Sequence, residues 1–514
     1  MKNLQKNKDW FKDRGYLHLT NRINKRDKQK VLSYVSNSNK VSQHRFSPFI
    51  LRQSNTRRYK FSEDLKKRSH KSVDDKGQFI SNKKVRPIIY ATHIDSHIYS
   101  YYSHKILQPR YEEYLKSNNE LNNCVTAYRR IESVDKIRFK YNVDFANDVF
   151  EEIKYRENCG VLAFDIKNFF PTLNHLQLKK IWSKILGKKT LPKDHYTLFK
   201  SITNYSYFHY NDLRQRYKGH LDEKKIANLK NQGKFQYFDN YIDFEESGIQ
   251  VYKNQYIKNG NLAGIPQGLP ISAMLANIYM LPFDEAMIQK LVKTKNCFYR
   301  RYSDDLVVIC KTEDVDIVEQ LVQQEIDKIK LTISPSKTEK YQFRVEKGHL
   351  KCFKIKDGSE IANSYLQYLG FDFYGYKTLI KSANISRFYR EMKESIAMKA
   401  KRIEKIQNKE LTDESLIFKR KIYRLYSFRG IQSRKLPANK VIYSDGRLKK
   451  EEYLRSYRGN FIKYAYRASD IMEAPEIKRQ LRKHMNILKK YMLQFNFDNA
   501  PKLNRQRQFS KNQE

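Results

Sequence analysis

Apolar and polar positions fall along this chain in patterns that define its elements before any chemistry is considered. Residues 297 to 310, CFYRRYSDDLVVIC, are two apolar or aromatic runs meeting at a polar tip of Ser303, Asp304 and Asp305, which predicts a β-hairpin. Roughly 140 residues upstream, VLAFDIKNFFPTL predicts an apolar strand that ends on Asp165. Between the two, GIPQGLPISAMLANIYM reads as a glycine and proline loop running into an apolar helix. From Lys83 the pattern turns apolar, and IYATHIDSHIYSYYSHKIL predicts a strand leading into a helix. After Tyr376, ISRFYREMKESIAMKAKRIEKIQNK predicts a long basic helix, with further helical stretches around 411–427, 449–468 and 474–494. Residues 176–258 mix helical and aromatic-rich segments without a clear order. Residues 1–80 are basic, rich in Ser and Asn, and carry the turn-like segments SNSNK and DDKGQ. They read as a partly helical extension that orders with nucleic acid.

Charge changes this picture. The chain has 514 residues and a formal net charge of +45, enough length for two or three domains. So large an excess repels itself in a compact body, so a polyanionic partner, nucleic acid first, is expected. The excess is densest in the two flanks. Tyr and Phe are interleaved with it, as in Arg57-Arg58-Tyr59-Lys60-Phe61 and Lys463-Tyr464-Ala465-Tyr466-Arg467; such rings stack on unpaired bases or pack in a core, and at helical spacing packing is the commoner outcome.

Cys124, Cys159, Cys297, Cys310 and Cys352 show neither a CxxC pair nor a His at zinc-finger spacing, which predicts reduced thiols and no structural zinc. The start of the chain, MKNLQKNKDWFKDRGYL, has no apolar signal core, and no stretch reaches the roughly 20 apolar residues of a membrane span. A cytoplasmic location is expected.

The acidic tip carries the chemistry. Aspartate is a common turn residue, and an isolated pair at a hairpin is more often a solvated tip than a site. Here, however, the pair follows Asp165 and the PQG loop in order. Like charges at a tight turn between buried strands call for a cation, and a pair of Mg²⁺ ions would answer.

Six blocks in sequence are similar to those of reverse transcriptases: KKVRPIIYA at 83–91, FDIKNFF at 164–170, GIPQGLPIS at 264–272, YSDD at 302–305, LTISPSKTE at 331–339 and YLGFDF at 368–373. The resemblance implies an α+β right-hand polymerase. Its fingers and palm would cover 81–376, the palm itself 160–175 and 259–376, and an α-helical thumb and C-terminal extension 377–514.

The resemblance also implies roles. Asp165 and Asp304 would bridge two Mg²⁺ ions, with Mn²⁺ a possible substitute; the Ile166 carbonyl would join them on the nucleotide side, and Asp305 would be a nearby acid of less direct role. Phe170 would sit under the incoming sugar and reject a 2′-hydroxyl, although either Phe169 or Phe170 must also pack inward. Gln267 and Gly268 would meet the nucleotide or template. Arg86 and one of Lys83 or Lys84, with Lys84 preferred, would clamp the triphosphate, and Lys337 would donate a proton to leaving pyrophosphate. Two departures stand out: Ile94-Asp95-Ser96 lacks the Arg that many bacterial relatives carry after this Asp, and Ile271-Ser272-Ala273 lacks the usual Pro after Ser.

With no RNase H-like or endonuclease spacing and with diverged fingers, the chain looks most like bacterial defence-associated reverse transcriptases. That implies antiphage defence with an associated noncoding RNA as template or scaffold, a DNA product made from dNTPs, and often a homo-oligomer. A retron or group II intron-like enzyme, template-independent or protein-primed synthesis, and a non-catalytic RNA-binding scaffold are the alternatives.

Overall fold

The computed structural model describes residues 10–57, 60–62, 66–73, 77–133, 138–216, 228–257, 262–407, 414–428, 434–437, 453–456 and 459–495. Arg58, Tyr59 and the end of the basic C-terminal flank lie outside them. Packing divides the chain into two units, residues 1–131 with 160–340, and residues 132–159 with 341–514. From sequence, composition sets a boundary at 80 and the resemblance one at 376.

The first unit holds the acidic residues. Its centre is an antiparallel sheet in which Phe298–Tyr302 pairs with Asp305–Cys310, and the latter with Cys159–Asp165. Every residue from Leu306 to Cys310 is buried, which is why these strands read as continuous apolar runs rather than alternating ones. The helix Ser272–Tyr279 is buried on nearly all sides, as a helix apolar all round must be.

A second sheet of this unit runs in the order Lys83–Tyr90, Phe49–Arg57, Ser206–His209, Tyr252–Lys253. Lys83–Tyr90 pairs antiparallel with Phe49–Arg57, from Ile50 opposite Tyr90 to Arg57 opposite Lys83. Phe49–Leu51 runs parallel to Tyr207–His209.

The basic N-terminal stretch is thus a working part of the first unit and not an appendage. Trp10, Phe11, Val31, Val35, Val41, Phe49 and Leu51 are buried in the same core as Leu162, Phe164 and Leu306. Their apolar side chains are widely spaced among Lys, Arg, Ser and Asn, so the average polarity of the stretch hides them.

In the second unit the helix Asn142–Arg156 stacks Phe150 on Phe373 at 4.5 Å, and Asn142 Nδ2 donates to the Leu369 carbonyl and the Tyr464 hydroxyl. These contacts take residues 132–159 out of the first unit. The helices Ser382–Gln407, Glu414–Tyr426 and His484–Gln494 meet through Met392, Ile396, Ile422, Leu488 and Met492. The helix expected over 449–468 differs: Tyr453–Ser456 is a strand paired with Arg434–Pro437, and helix begins at Phe461. Asn460 caps it by accepting from Lys463 N, and such a cap fixes a helix start. Tyr464 packs on Phe371.

Among the described residues no helix is long and apolar enough to cross a membrane. The five cysteines are buried thiols, none in a disulfide.

Candidate active site

Three segments converge at the tip of the central hairpin. Tyr302 and Asp305 are the last paired residues, leaving Ser303 and Asp304 as the turn, and Ser303 takes the left-handed backbone that two-residue hairpin loops require. Asp305 lies directly opposite Asp165 on the neighbouring strand. The chain leaving Asp165 is held on both sides: Ile166 N donates to the Asp304 carbonyl at 3.3 Å, Lys167 N to the Thr332 carbonyl at 2.8 Å, and Ser334 N to the Asp165 carbonyl at 2.8 Å. Asn168, in left-handed conformation, then turns the chain into the short helix Phe169–Thr172.

This clamp delivers Lys337. The segment 332–334 leads into the single turn Pro335–Lys337, and the Lys337 ammonium donates to the Asp165 carboxylate. Asp304 is only partly exposed, and burial raises its carboxyl above the usual range; the Asp165 charge adds to the rise, while the Ser303 hydroxyl and the Lys84 charge pull it back. Asp305 is exposed. Of the two candidate lysines, the field at Asp304 singles out Lys84; Lys83 points away as an exposed residue. Lys84 and Arg86 alternate on one face of their strand, opposite Thr56 and Ser54.

The PQG loop closes against both neighbours. Ile265 N donates to the Phe170 carbonyl, Gly264 N to the Leu173 carbonyl, and Ile89 N to the Gln267 carbonyl at 2.8 Å. Protein packing alone requires both glycines: a Cβ on Gly268, at φ +121°, would stand 2.4 Å from the Ile89 carbonyl oxygen, and one on Gly264 would meet the Tyr256 ring at 2.5 Å. Ser272 Oγ donates to the Pro266 carbonyl at 2.6 Å and fixes the turn from its far side. Phe169 is buried in the core while Phe170 remains part-exposed. Asp95 is buried, accepting from His44 at 2.7 Å and from Ser47 N at 3.2 Å; it ties the N-terminal segment down.

Beneath the tip lies a buried polar network. Arg301 and Asp284 have no exposed surface and pair at 2.6 Å. Arg301 also donates to Asn277 Oδ1 and to the Ser303 carbonyl, and Tyr299 donates to Asp284. Burial opposes the Arg301 charge, but Asp284 more than restores it and holds its pKa above the ordinary value. These residues were missed from sequence, yet FYRRY carries a signal: strand alternation puts Arg301 on the same inward face as Tyr299, and a buried guanidinium needs an acid.

The oxygens present suit a divalent cation. The structure brings the like-charged carboxylates of Asp165 and Asp304 close enough that the Asp165 charge raises the Asp304 carboxyl. Among the described residues no cluster of three or more His, Cys, Asp or Glu could hold a metal ion; the Asp165 and Asp304 carboxylates are hard oxygen donors of the kind Mg²⁺ takes beside water and substrate phosphates.

An acidic pair on a central antiparallel hairpin, facing a basic strand and a glycine-proline loop, defines a right-hand polymerase palm in an α+β fold. The chain belongs to the reverse transcriptase (RNA-dependent DNA polymerase) family, whose model matches residues 66–373. No curated protein matches it in sequence. Among solved structures it is similar to telomerase from Candida albicans in complex with a fragment of telomeric RNA, at 11% identity over 91% of this chain and 66% of that one, TM-score 0.37. Apo telomerase from Candida tropicalis, truncated of its C-terminal domain, matches at 11% identity over 59% and 53%, TM-score 0.36. The chain thus spans about half to two thirds of the telomerases it matches.

Proposed function

We propose that this protein synthesises DNA from dNTPs on an RNA template, with Asp165 and Asp304 holding two Mg²⁺ ions. The observation that supports this most is the strand register that sets Asp165 beside the Asp304 tip, with Lys337 donating to Asp165 and the Lys84 charge acting on Asp304. The Ile166 carbonyl would join Asp165 and Asp304 on the nucleotide side, and Asp305 adds negative charge nearby. Bound Mg²⁺ would lower the pKa of the attacking 3′-hydroxyl and neutralise charge on the triphosphate.

The remaining steps fall to the protein. Lys84 and Arg86, on one face of one strand, grip the triphosphate oxygens. Phe170 supports the deoxyribose and excludes a 2′-hydroxyl, and Gln267 with Gly268 lines the nucleotide from the other side. Lys337, which donates to Asp165, would protonate departing pyrophosphate.

The basic composition supports an RNA partner. Ser96 stands after Asp95 where many bacterial relatives carry an Arg, and Asp95 is buried against His44; this supports a specialised branch, and we propose that the protein is one of the bacterial antiphage-defence enzymes that work with a noncoding RNA in the cytoplasm. Domain roles follow: fingers and palm within 81–376, thumb beyond.

The test is incorporation of each dNTP and rNTP by purified protein with its co-purifying nucleic acid and Mg²⁺, before and after RNase. RNase-sensitive dNTP incorporation supports the proposal. Incorporation that survives RNase points to untemplated or protein-primed synthesis, and none under any condition points to a scaffold.

A further inference from the structure

Tyr128 has no part in the reading above, and its setting is unusual for a tyrosine. Its backbone sits at φ +63°, a region that bulky L-residues avoid, and the residue is 55% exposed. The flanking residues, by contrast, are fastened down. Thr126 donates its N–H and its hydroxyl to the Arg301 carbonyl at 3.0 and 2.9 Å. The Ala127 carbonyl accepts from Asn277 at 2.9 Å. Arg129 binds Glu112 and the carbonyls of Asn122 and Val125. Tyr128 is thereby held rigidly at the catalytic tip, its hydroxyl 3.5 Å from Ser303 Oγ. A strained backbone carrying a half-exposed tyrosine costs stability, and such strain at a site is a reason to look for function.

Position says which function. Val125 bridges Arg301 in parallel, the strand of Arg301 pairs with that of Asp305, and this in turn with that of Asp165. Tyr128 and the segment leading from Asp165 to Phe170 therefore leave strands on opposite sides of the hairpin that carries Asp304. With the incoming nucleotide over Phe170, the other side receives the strand being extended.

We propose that Tyr128 is the platform on which the 3′-terminal nucleotide of that strand stacks. The inference rests on the polymerase reading. Stacking on an aromatic ring is tolerant of base identity, since every base has a π-face, and the site must accept each newly added nucleotide in turn. A rigidly mounted ring also loses little freedom on binding.

The test compares wild type, Tyr128→Phe, Tyr128→Ala and Tyr128→Gly. Fluorescence anisotropy reads binding to a DNA primer annealed to an RNA template, and to that template alone, without dNTP; single-nucleotide extension gives the dNTP KM. Tyr128→Ala and Tyr128→Gly should weaken primer–template binding about tenfold, leave template-alone binding and the dNTP KM unchanged, and Tyr128→Phe should stay within about twofold of wild type. Tyr128→Gly should also melt higher than Tyr128→Ala, because glycine accepts this φ, so lost binding is not lost folding. Unchanged primer–template binding in Tyr128→Ala overturns the proposal, as does a loss confined to the dNTP KM. A loss in Tyr128→Phe equal to that in Tyr128→Ala overturns stacking in favour of the hydroxyl. Because binding is read without catalysis, a wild type that adds no nucleotide defeats the polymerase reading while anisotropy still decides Tyr128.

Discussion

Arg301 and Asp284 form an ion pair with no exposed surface directly beneath the YSDD turn, and Arg301 passes the contact on to the Ser303 carbonyl. A pair so enclosed is costly to break, because the survivor keeps its charge without a partner or water.

Asp284→Asn should therefore destabilise the fold by about 3 kcal/mol, read as a shift in urea midpoint. Replacing both residues with apolar ones, Asp284→Leu with Arg301→Met, should recover much of that stability yet lower kcat, since nothing then holds the Ser303 carbonyl. Equal kcat in wild type and the double variant would show that the pair supports folding alone.

Phe170 is the part-exposed member of a pair whose other ring, Phe169, is buried. Phe170→Val should raise rNTP relative to dNTP incorporation by about tenfold or more, as removing bulk from a fitted pocket does. Unchanged sugar selectivity in a competition assay would move the gate to another residue.

Acid should weaken the first unit. His18 and His97 are pushed down to about 3 and His93 to about 4, in each case chiefly by burial, and both ring nitrogens of His97 lack a hydrogen-bond partner. Folded His stays neutral where unfolded His, near 6.5, takes a proton. The stability these residues give is thus complete above pH 6.5 and falls as pH drops from there toward 4, by about 1.4 kcal/mol per histidine per pH unit. Urea midpoints at pH 8, 7, 6 and 5 check this. His97→Phe, which keeps the stack on Phe11, should reduce the slope, and a flat profile in wild type would contradict it.

How much of this was legible in sequence depends on the range of the interaction. Asp165, Asp304 and Asp305 stand where apolar runs end on charge, a local signal, and the strands around them formed where that signal put them. The pairing of Phe49–Leu51 with Tyr207–His209 joins segments some 150 residues apart, and neither carries a mark of the other. Trp10, Phe11 and Val31 were hidden by the basic residues between them. The close packing of the PQG glycines against the Ile89 carbonyl and the Tyr256 ring joins segments distant in sequence, and nothing in the loop itself marks those partners. The strained backbone at Tyr128 leaves no trace in composition, because only the folded chain reveals φ.

The central claim, that Asp165 and Asp304 form the polymerising centre, is tested most directly by template-directed dNTP incorporation with Asp304→Ala beside wild type, at matched RNA occupancy and with melting curves for both. The account predicts that incorporation falls to background in Asp304→Ala while RNA binding and the melting temperature hold. Incorporation retained at the wild-type rate would contradict it and place the chemistry elsewhere.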